Sequence, residues 1–288
     1  MFLIEETARV FKNVPGGRAA FSDPNSMEGL LLHLSLLNAH GLYPVPTWNF
    51  PAWSIGAAFY AYLLFALVMC AAGSAISVAL VGIFAAAMCL LLRSGHENLD
   101  VAADLGFFRC IAGFSMGAIC QRLLSAPSLN RLGTLRLTAS SEWILAGLVL
   151  GFVGISASNR VSYAAPVIFS IVIIVFACEA GNLSRILKMA PFRFLGTISY
   201  SIYMVHMFVF TMTPNMLRAA EPAIGLPLTT TIHTTNATIV ALGAAPWQGS
   251  VAYVVAFVVV ILVANVAYRL VELPARRWSR RIALRIDA

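Results

Sequence analysis

The sequence predicts an all-α fold, a polytopic transmembrane bundle of about seven spanning helices, and three observations carry that expectation. Of the 288 residues 60% are hydrophobic and only 11% charged, with a mean hydropathy of +0.84. A water-soluble domain averages about 45–50% apolar and about 25% charged residues. The apolar residues gather in runs close to the roughly 20 that a helix needs to cross a bilayer. Basic residues collect in alternate connections between those runs, as they do on the cytoplasmic side of membrane proteins.

Taken in order, residues 1–47 form an extracytoplasmic arm. Met1 to Met27 is polar and holds Pro15-Gly16-Gly17 and Asp23-Pro24, a loop composition, and Glu5 and Glu6 stand where a cleavable signal would be basic. Residues 29–41 are apolar but shorter than a bilayer, which predicts a short interfacial helix. The domain 48–273 carries the spans, at 52–72, 74–92, 105–124, 143–159, 162–180, 194–214 and 250–271, with a turn at Asn159-Arg160 parting the fourth from the fifth. Residues 274–288 are a basic tail, placed in the cytoplasm. Counting back from that tail puts 181–193, with Arg185, Lys188 and Arg193, and 125–142, with Arg131 and Arg136, on the same side. The connections 93–106 and 215–249 then lie outside, and the second, long and rich in Thr and Pro, is either a cover over a cavity or an idle loop.

The formal charge of +7, from 19 basic and 12 acidic residues, is therefore no nucleic-acid footprint. Five arginines, Arg276, Arg277, Arg280, Arg281 and Arg285, follow an apolar run, where they meet anionic lipid. A large soluble catalytic domain and a disordered chain are excluded for most of the length. The five cysteines, Cys70, Cys89, Cys110, Cys120 and Cys178, sit inside apolar runs without paired spacing, so neither a disulfide framework nor a metal site is expected.

Polar residues inside hydrocarbon mark candidate sites, because a polar group facing lipid would lack partners. In the span 194–214, Ser199, Tyr203 and His206 fall at i, i+4 and i+7, with Thr213 extending the stripe. They read either as packing glue between helices or as the wall of a wet passage with His206 as base. At the entry of the first span, TWNFPAWSIGAAFYAY places Trp48 and Trp53 as an interface belt, and Ser54 either caps a helix or faces a cavity. In the third span Arg109 precedes Gly113 and Gly117 at spacing four. The glycines suit the close approach of another helix, and Asp104 is offered as charge partner for Arg109. Near the carboxyl end, Glu272 is expected to pair with Arg269 or Arg276 at an exposed surface.

At these residues the sequence resembles the acyltransferase-3 family of integral membrane O-acyltransferases. The TWNFPAWSIGAAFYAYLLFAL block looks like that family's Trp-Ser helix entry, FRFLGTISYSIYMVHMFVF resembles its Ser-Tyr-x-x-Tyr-x-x-His span, and VELPARRW resembles its closing Glu-x-Pro signature. FFRCIAGFSMGAICQRL adds to the similarity, which covers Trp48 to Trp278. Two positions depart from the pattern. Family members usually carry earlier spans with an arginine and a histidine regarded as catalytic, and no span precedes Trp48. Ala58 stands where a glutamate is common.

The resemblance implies transfer of an acyl group, expected to be acetyl, from acyl-CoA on the cytoplasmic side to a hydroxyl of a carbohydrate or related acceptor. The acyl-CoA is a co-substrate, no cofactor is implied, and the other partner is the lipid bilayer. The implied catalytic residues are His206, Tyr203, Ser199 and Arg109; the implied substrate-binding residues are Trp53, Ser54, Tyr200, Glu272 and Arg276. An inactive remnant of such an enzyme is the alternative, and a transporter a weaker one, since neither repeated halves nor many intramembrane charges are present.

Overall fold

The computed structural model describes residues 21–22, 25–42, 48–125, 139–179, 181–225, 227–233, 238–243 and 245–286. The expectations for the start of the arm and for Arg131 and Arg136 lie outside them. Contacts divide the chain into two units between Met189 and Ala190.

In the first unit, α1 (Met27–Leu34) is the expected short helix; the Ser26 hydroxyl caps it by accepting from the Gly29 amide. One tight turn, Phe50–Ala52, leads into α2 (Trp53–Ala72), and Gly73, at φ +48°, ends it. Glycine takes that left-handed angle without the clash a Cβ would make. The chain resumes as α3 (Ile76–Arg93). Ala61 of α2 and Leu91 of α3 belong to one buried cluster, although a straight helix would hold them about 45 Å apart. The two helices therefore fold back on each other at Gly73, as the predicted spans require. α4 (Gly106–Leu124) packs against both and adds Ile111 and Ala112 to the cluster. Tyr163 closes it, donating its hydroxyl to the Leu91 and His96 carbonyls at 3.2 and 3.1 Å. After α5 (Ala139–Ser156), Asn159 caps a short turn by accepting from the Val161 amide at 2.9 Å, and α6 (Ala165–Ala177) and α7 (Asn182–Leu187) follow.

The second unit starts with α8 (Ala190–Thr197) and α9 (Ser199–Ile224), bent by 69° at Ile198. The span predicted at 194–214 is thus broken near its start. The connection predicted at 215–249 is partly ordered structure: α9 runs on to Ile224, and an antiparallel pair, β1 (Thr229–His233) and β2 (Thr238–Leu242), follows. Glu221 ties that pair to α9, its Oε1 accepting from the Leu228 and Thr229 amides and the Thr229 hydroxyl. These bonds, the Thr229 hydroxyl foremost, hold its carboxyl below the usual range. α10 (Pro246–Ala267), a π-helical turn (Tyr268–Glu272) and α11 (Leu273–Ile286) complete the chain.

Each of the seven predicted spans is helical over most of its described residues. Among the described residues three helical stretches are long and apolar enough to cross a membrane, Phe50–Arg93 with its fold at Gly73, Arg160–Ala177 and Trp247–Arg285, and the bent α8–α9 pair makes a fourth. The first of these contains two predicted spans. α4, diluted by Arg109, Gln121 and Arg122, turns its faces to α2, α3 and α6. Large apolar side chains such as Val78, Leu150 and Leu270 stand exposed on the outer faces, as lipid contact requires. Among the described residues of the first unit, no helix packs closely on Gly113 and Gly117, for a Cβ at either position would meet nothing within 4 Å.

Candidate functional site

In the first unit, the aromatic entry and the intramembrane arginine come together. Gly106, the first residue of α4, lies under Trp53, and a Cβ there would come within 2.7 Å of the indole Cε3. The bare backbone lets the ring settle over the start of α4. The Arg109 guanidinium carbon then sits 5.6 Å from the indole centre, within cation–π range. Arg109 Nη1 donates to the Val101 carbonyl at 3.2 Å and stands 3.6 Å from Asp100. Asp104, its expected partner, instead meets His96 at 2.8 Å. Ser54 neither caps forward nor opens to a cavity through this bond: its hydroxyl donates back to the Pro51 carbonyl at 3.0 Å. Three contacts thus fix a guanidinium whose remaining N–H groups suit a carbonyl or phosphate oxygen.

Beside that entry lies a polar knot of His33, Asn38, His40 and Asn49. His33 Nδ1 lies 3.1 Å from the Gly29 carbonyl, and its Nε2 lies 3.2 Å from Asn38 Nδ2 and 3.4 Å from the Asn49 carbonyl. Asn38 Oδ1, Asn49 Oδ1 and His40 Nδ1 are buried and find no hydrogen-bond partner among the described residues. The His40 ring lies 4.8 Å from Tyr60 and 4.7 Å from Phe107. Burial lowers its pKa, against a weaker opposing effect of the Leu37 backbone.

In the second unit the centre is Glu272, which the sequence placed at an exposed surface. Its pairing with Arg276 is as expected, at 2.7 Å, yet the carboxylate is only 8% exposed. Its second oxygen accepts from the Ser201 hydroxyl at 2.6 Å. Backbone geometry explains the position. Pro274 has no N–H to return to the preceding turn, and the Leu273 amide bonds the Tyr268 carbonyl five residues back. The widened turn puts Glu272 on the same inward stripe as Ala256, Val260 and Ala264. Tyr200, Ser201, Met204 and Val271 help to wall a cavity of about 590 Å³ with Glu272 inside it and the half-exposed Arg276 guanidinium at its edge.

The predicted stripe on α9 is not brought to this cavity. Ser199 is exposed and donates to the Gly196 carbonyl at 2.9 Å, and Thr213 donates to Val209 at 2.7 Å, so both hydroxyls are used within their own helix. Tyr203 is 37% exposed. His206 has an orienting partner that its sequence neighbours did not reveal. Its Nδ1 lies 2.6 Å from the Tyr203 carbonyl. A carbonyl can only accept, so Nδ1 carries the proton and Nε2 is the basic nitrogen of the neutral ring. Ser201, on another face of the same helix, is the polar residue missed. Its signal is faint: a serine in line with buried Ile198 and Val209.

A further buried carboxylate lies in the first unit, one residue ahead of the apolar run predicted at 143–159. Glu142, 1% exposed, accepts from the Gly181 amide at 2.9 Å and from the Ser184 amide and hydroxyl at 2.8 and 2.6 Å. It serves as a borrowed N-cap for α7, whose own cap residue, Gly181, has no side chain to offer. Burial opposes the charge, but the Ser184 hydroxyl and the converging amides outweigh it and hold the carboxyl below its usual range.

A family model described as an acyltransferase domain, that of the acyltransferase-3 family, matches residues 23–269. No curated protein and no solved structure matches the chain.

Proposed function

Because the chain belongs to the acyltransferase-3 family, we propose that this membrane protein moves an acyl group from a cytosolic acyl-CoA to a hydroxyl of a carbohydrate or related acceptor. The observation that carries the reading is the 2.6 Å contact between His206 Nδ1 and the Tyr203 carbonyl, which calls for a proton on Nδ1 and leaves Nε2 free to act as a base. An acceptor hydroxyl is a poor nucleophile until a base takes its proton. In the proposed step Nε2 removes that proton while the oxygen attacks the thioester carbonyl. The tetrahedral oxyanion collapses with cleavage of the C–S bond, and the departing thiolate takes the proton from the imidazolium. The products are an ester and free CoA.

The other roles follow from each residue's chemistry. Arg109, held by Asp100, Val101 and Trp53, is assigned to the reaction path, where its guanidinium suits a carbonyl or phosphate oxygen of the acceptor. Trp53 and Ser54 are assigned to the outer part of the reaction path; Ser199 and Tyr203 supply hydroxyls near the base; Tyr200, Glu272 and Arg276 are assigned to its cytoplasmic closure.

The test is transfer of labelled acyl groups from acetyl-CoA and from a twelve-carbon acyl-CoA to a carbohydrate acceptor by the full chain in detergent, with His206→Ala and His206→Gln beside it. A general base is worth about 100- to 10,000-fold, so both variants should lose at least 100-fold while still binding the donor. Transfer unchanged in both would remove His206 from the mechanism. Neither transfer nor donor binding by the unmodified chain would remove the enzymatic reading.

A further inference from the structure

The three helices α2, α3 and α4 leave an apolar groove of about 530 Å³ between them. Phe65, Met69 and Phe114 form its walls, and Gly113 and Gly117 line it without side chains. Among the described residues of this unit no helix lies against those two glycines, and what they leave open is this space. A second cavity, of about 680 Å³, shares Gln121 and Arg122 with the first and is lined also by Ser77 and Ser125. The neck between the two is rich in hydrogen-bond donors. Arg122 Nε donates to the Ser77 hydroxyl at 2.9 Å, which fixes the guanidinium and leaves its terminal N–H groups for another acceptor. No carboxylate lines either cavity among the described residues.

We infer that this pair of cavities seats a medium- or long-chain acyl thioester, with the acyl chain on Gly113 and Gly117 and the thioester carbonyl at the Gln121–Arg122 neck. The inference rests on the acyltransferase reading and sets the size of the group that is moved. From Gly113 to Arg122 the helix rises about 13 Å at 1.5 Å per residue. A zigzag chain built on C–C bonds of about 1.5 Å covers that length with roughly ten carbons. An acetyl group would leave most of the groove empty. An apolar channel closed by a donor-bearing neck complements a hydrocarbon tail that ends in a carbonyl, and the second cavity, polar on one side, accommodates the amide-bearing arm of the thioester. A bilayer phospholipid shares a tail and ester carbonyls, so the experiment separates the two sources.

The probe is dodecanoyl-CoA carrying a diazirine on its chain, photolysed with the full chain in detergent and read by mass spectrometry of the labelled peptides, with no acceptor present. Label is expected in the segment 106–124, competed by unlabelled dodecanoyl-CoA and not by a twelve-carbon phospholipid. Gly117→Leu should weaken dodecanoyl-CoA binding at least tenfold and leave acetyl-CoA binding within twofold. Arg122→Gln should weaken both by a similar factor. Gly82→Leu, on α3 and also in open space, is the folding control and should label as the unmodified chain does. Label outside 106–124, label indifferent to Gly117→Leu, or label displaced by the phospholipid and not by dodecanoyl-CoA overturns the inference. Because labelling needs no turnover, the expected pattern in a chain that transfers nothing retires only the proposed activity; transfer with the label elsewhere retires only the groove.

Discussion

Replacing Glu142 by Gln keeps the shape of the side chain and removes its charge. The carboxylate accepts three hydrogen bonds, from the Gly181 and Ser184 amides and the Ser184 hydroxyl. A carboxamide offers one oxygen and presents an NH₂ group where an acceptor stood, so at least one backbone N–H at the start of α7 loses its partner. Hydrogen bonds to a charged group are worth about 1.5–3 kcal/mol each, and a negative charge at a helix amino terminus adds about 0.3–1 kcal/mol. The expected cost is about 2–4 kcal/mol. The assay is amide hydrogen exchange over 181–187 in detergent. At about 1.4 kcal/mol per tenfold, protection there should fall roughly 30- to 700-fold, with α2 to α4 unchanged. The pH dependence has a definite sign. A carboxyl whose folded-state pKa is depressed contributes fully above its ordinary value, about 4.3, and loses that contribution as pH falls through its lowered value. Protection corrected for intrinsic rate should therefore decline in the acid range in the unmodified chain and be flat in the Gln variant. A change of less than threefold, or parallel pH profiles, would refute the capping argument.

Two further outcomes follow from the packing of the two candidate centres. Gly106→Ala puts a methyl within 2.7 Å of the Trp53 ring and should displace the indole from Arg109, seen as a shift in tryptophan fluorescence and a lower Tm; an unchanged emission spectrum would mean that the ring does not rest there. Ser201→Ala strips a buried carboxylate of its 2.6 Å donor and should cost about 1–3 kcal/mol. Thermal unfolding in detergent checks it, with Ser201→Thr expected to recover most of the loss and equal stability in both variants counting against the pairing.

The helices were legible because lipid forces every backbone group to find its partner within the segment, so apolar length and helix coincide. The meeting of Trp53 and Arg109 was half legible: both residues stood out, but only the bare backbone of Gly106 explains why they touch. The polar stripe on α9 misled because a serine or threonine hydroxyl can bond a carbonyl three or four residues back in its own helix, as Ser199 and Thr213 do. Such a stripe need not face a partner. The pairs that matter most for burial, Ser201 with Glu272 and Glu142 with Gly181, join residues 71 and 39 positions apart. No periodicity reports contacts of that range. The one local clue was Pro274, whose missing N–H foretells a break in the helical ladder just where Glu272 turns inward.

The π turn at 268–272 acts as a phase adjuster between a greasy rod and a cationic one. An α-helix advances about 100° per residue, and the five residues of this wide turn cover little more than one revolution, as about four do in regular winding. One residue lost from the turn therefore leaves the five arginines of α11 facing much as they do, whereas one lost from the regular helix beyond it swings all that follows by about that angle. The turn gives this long helix slack in chain length.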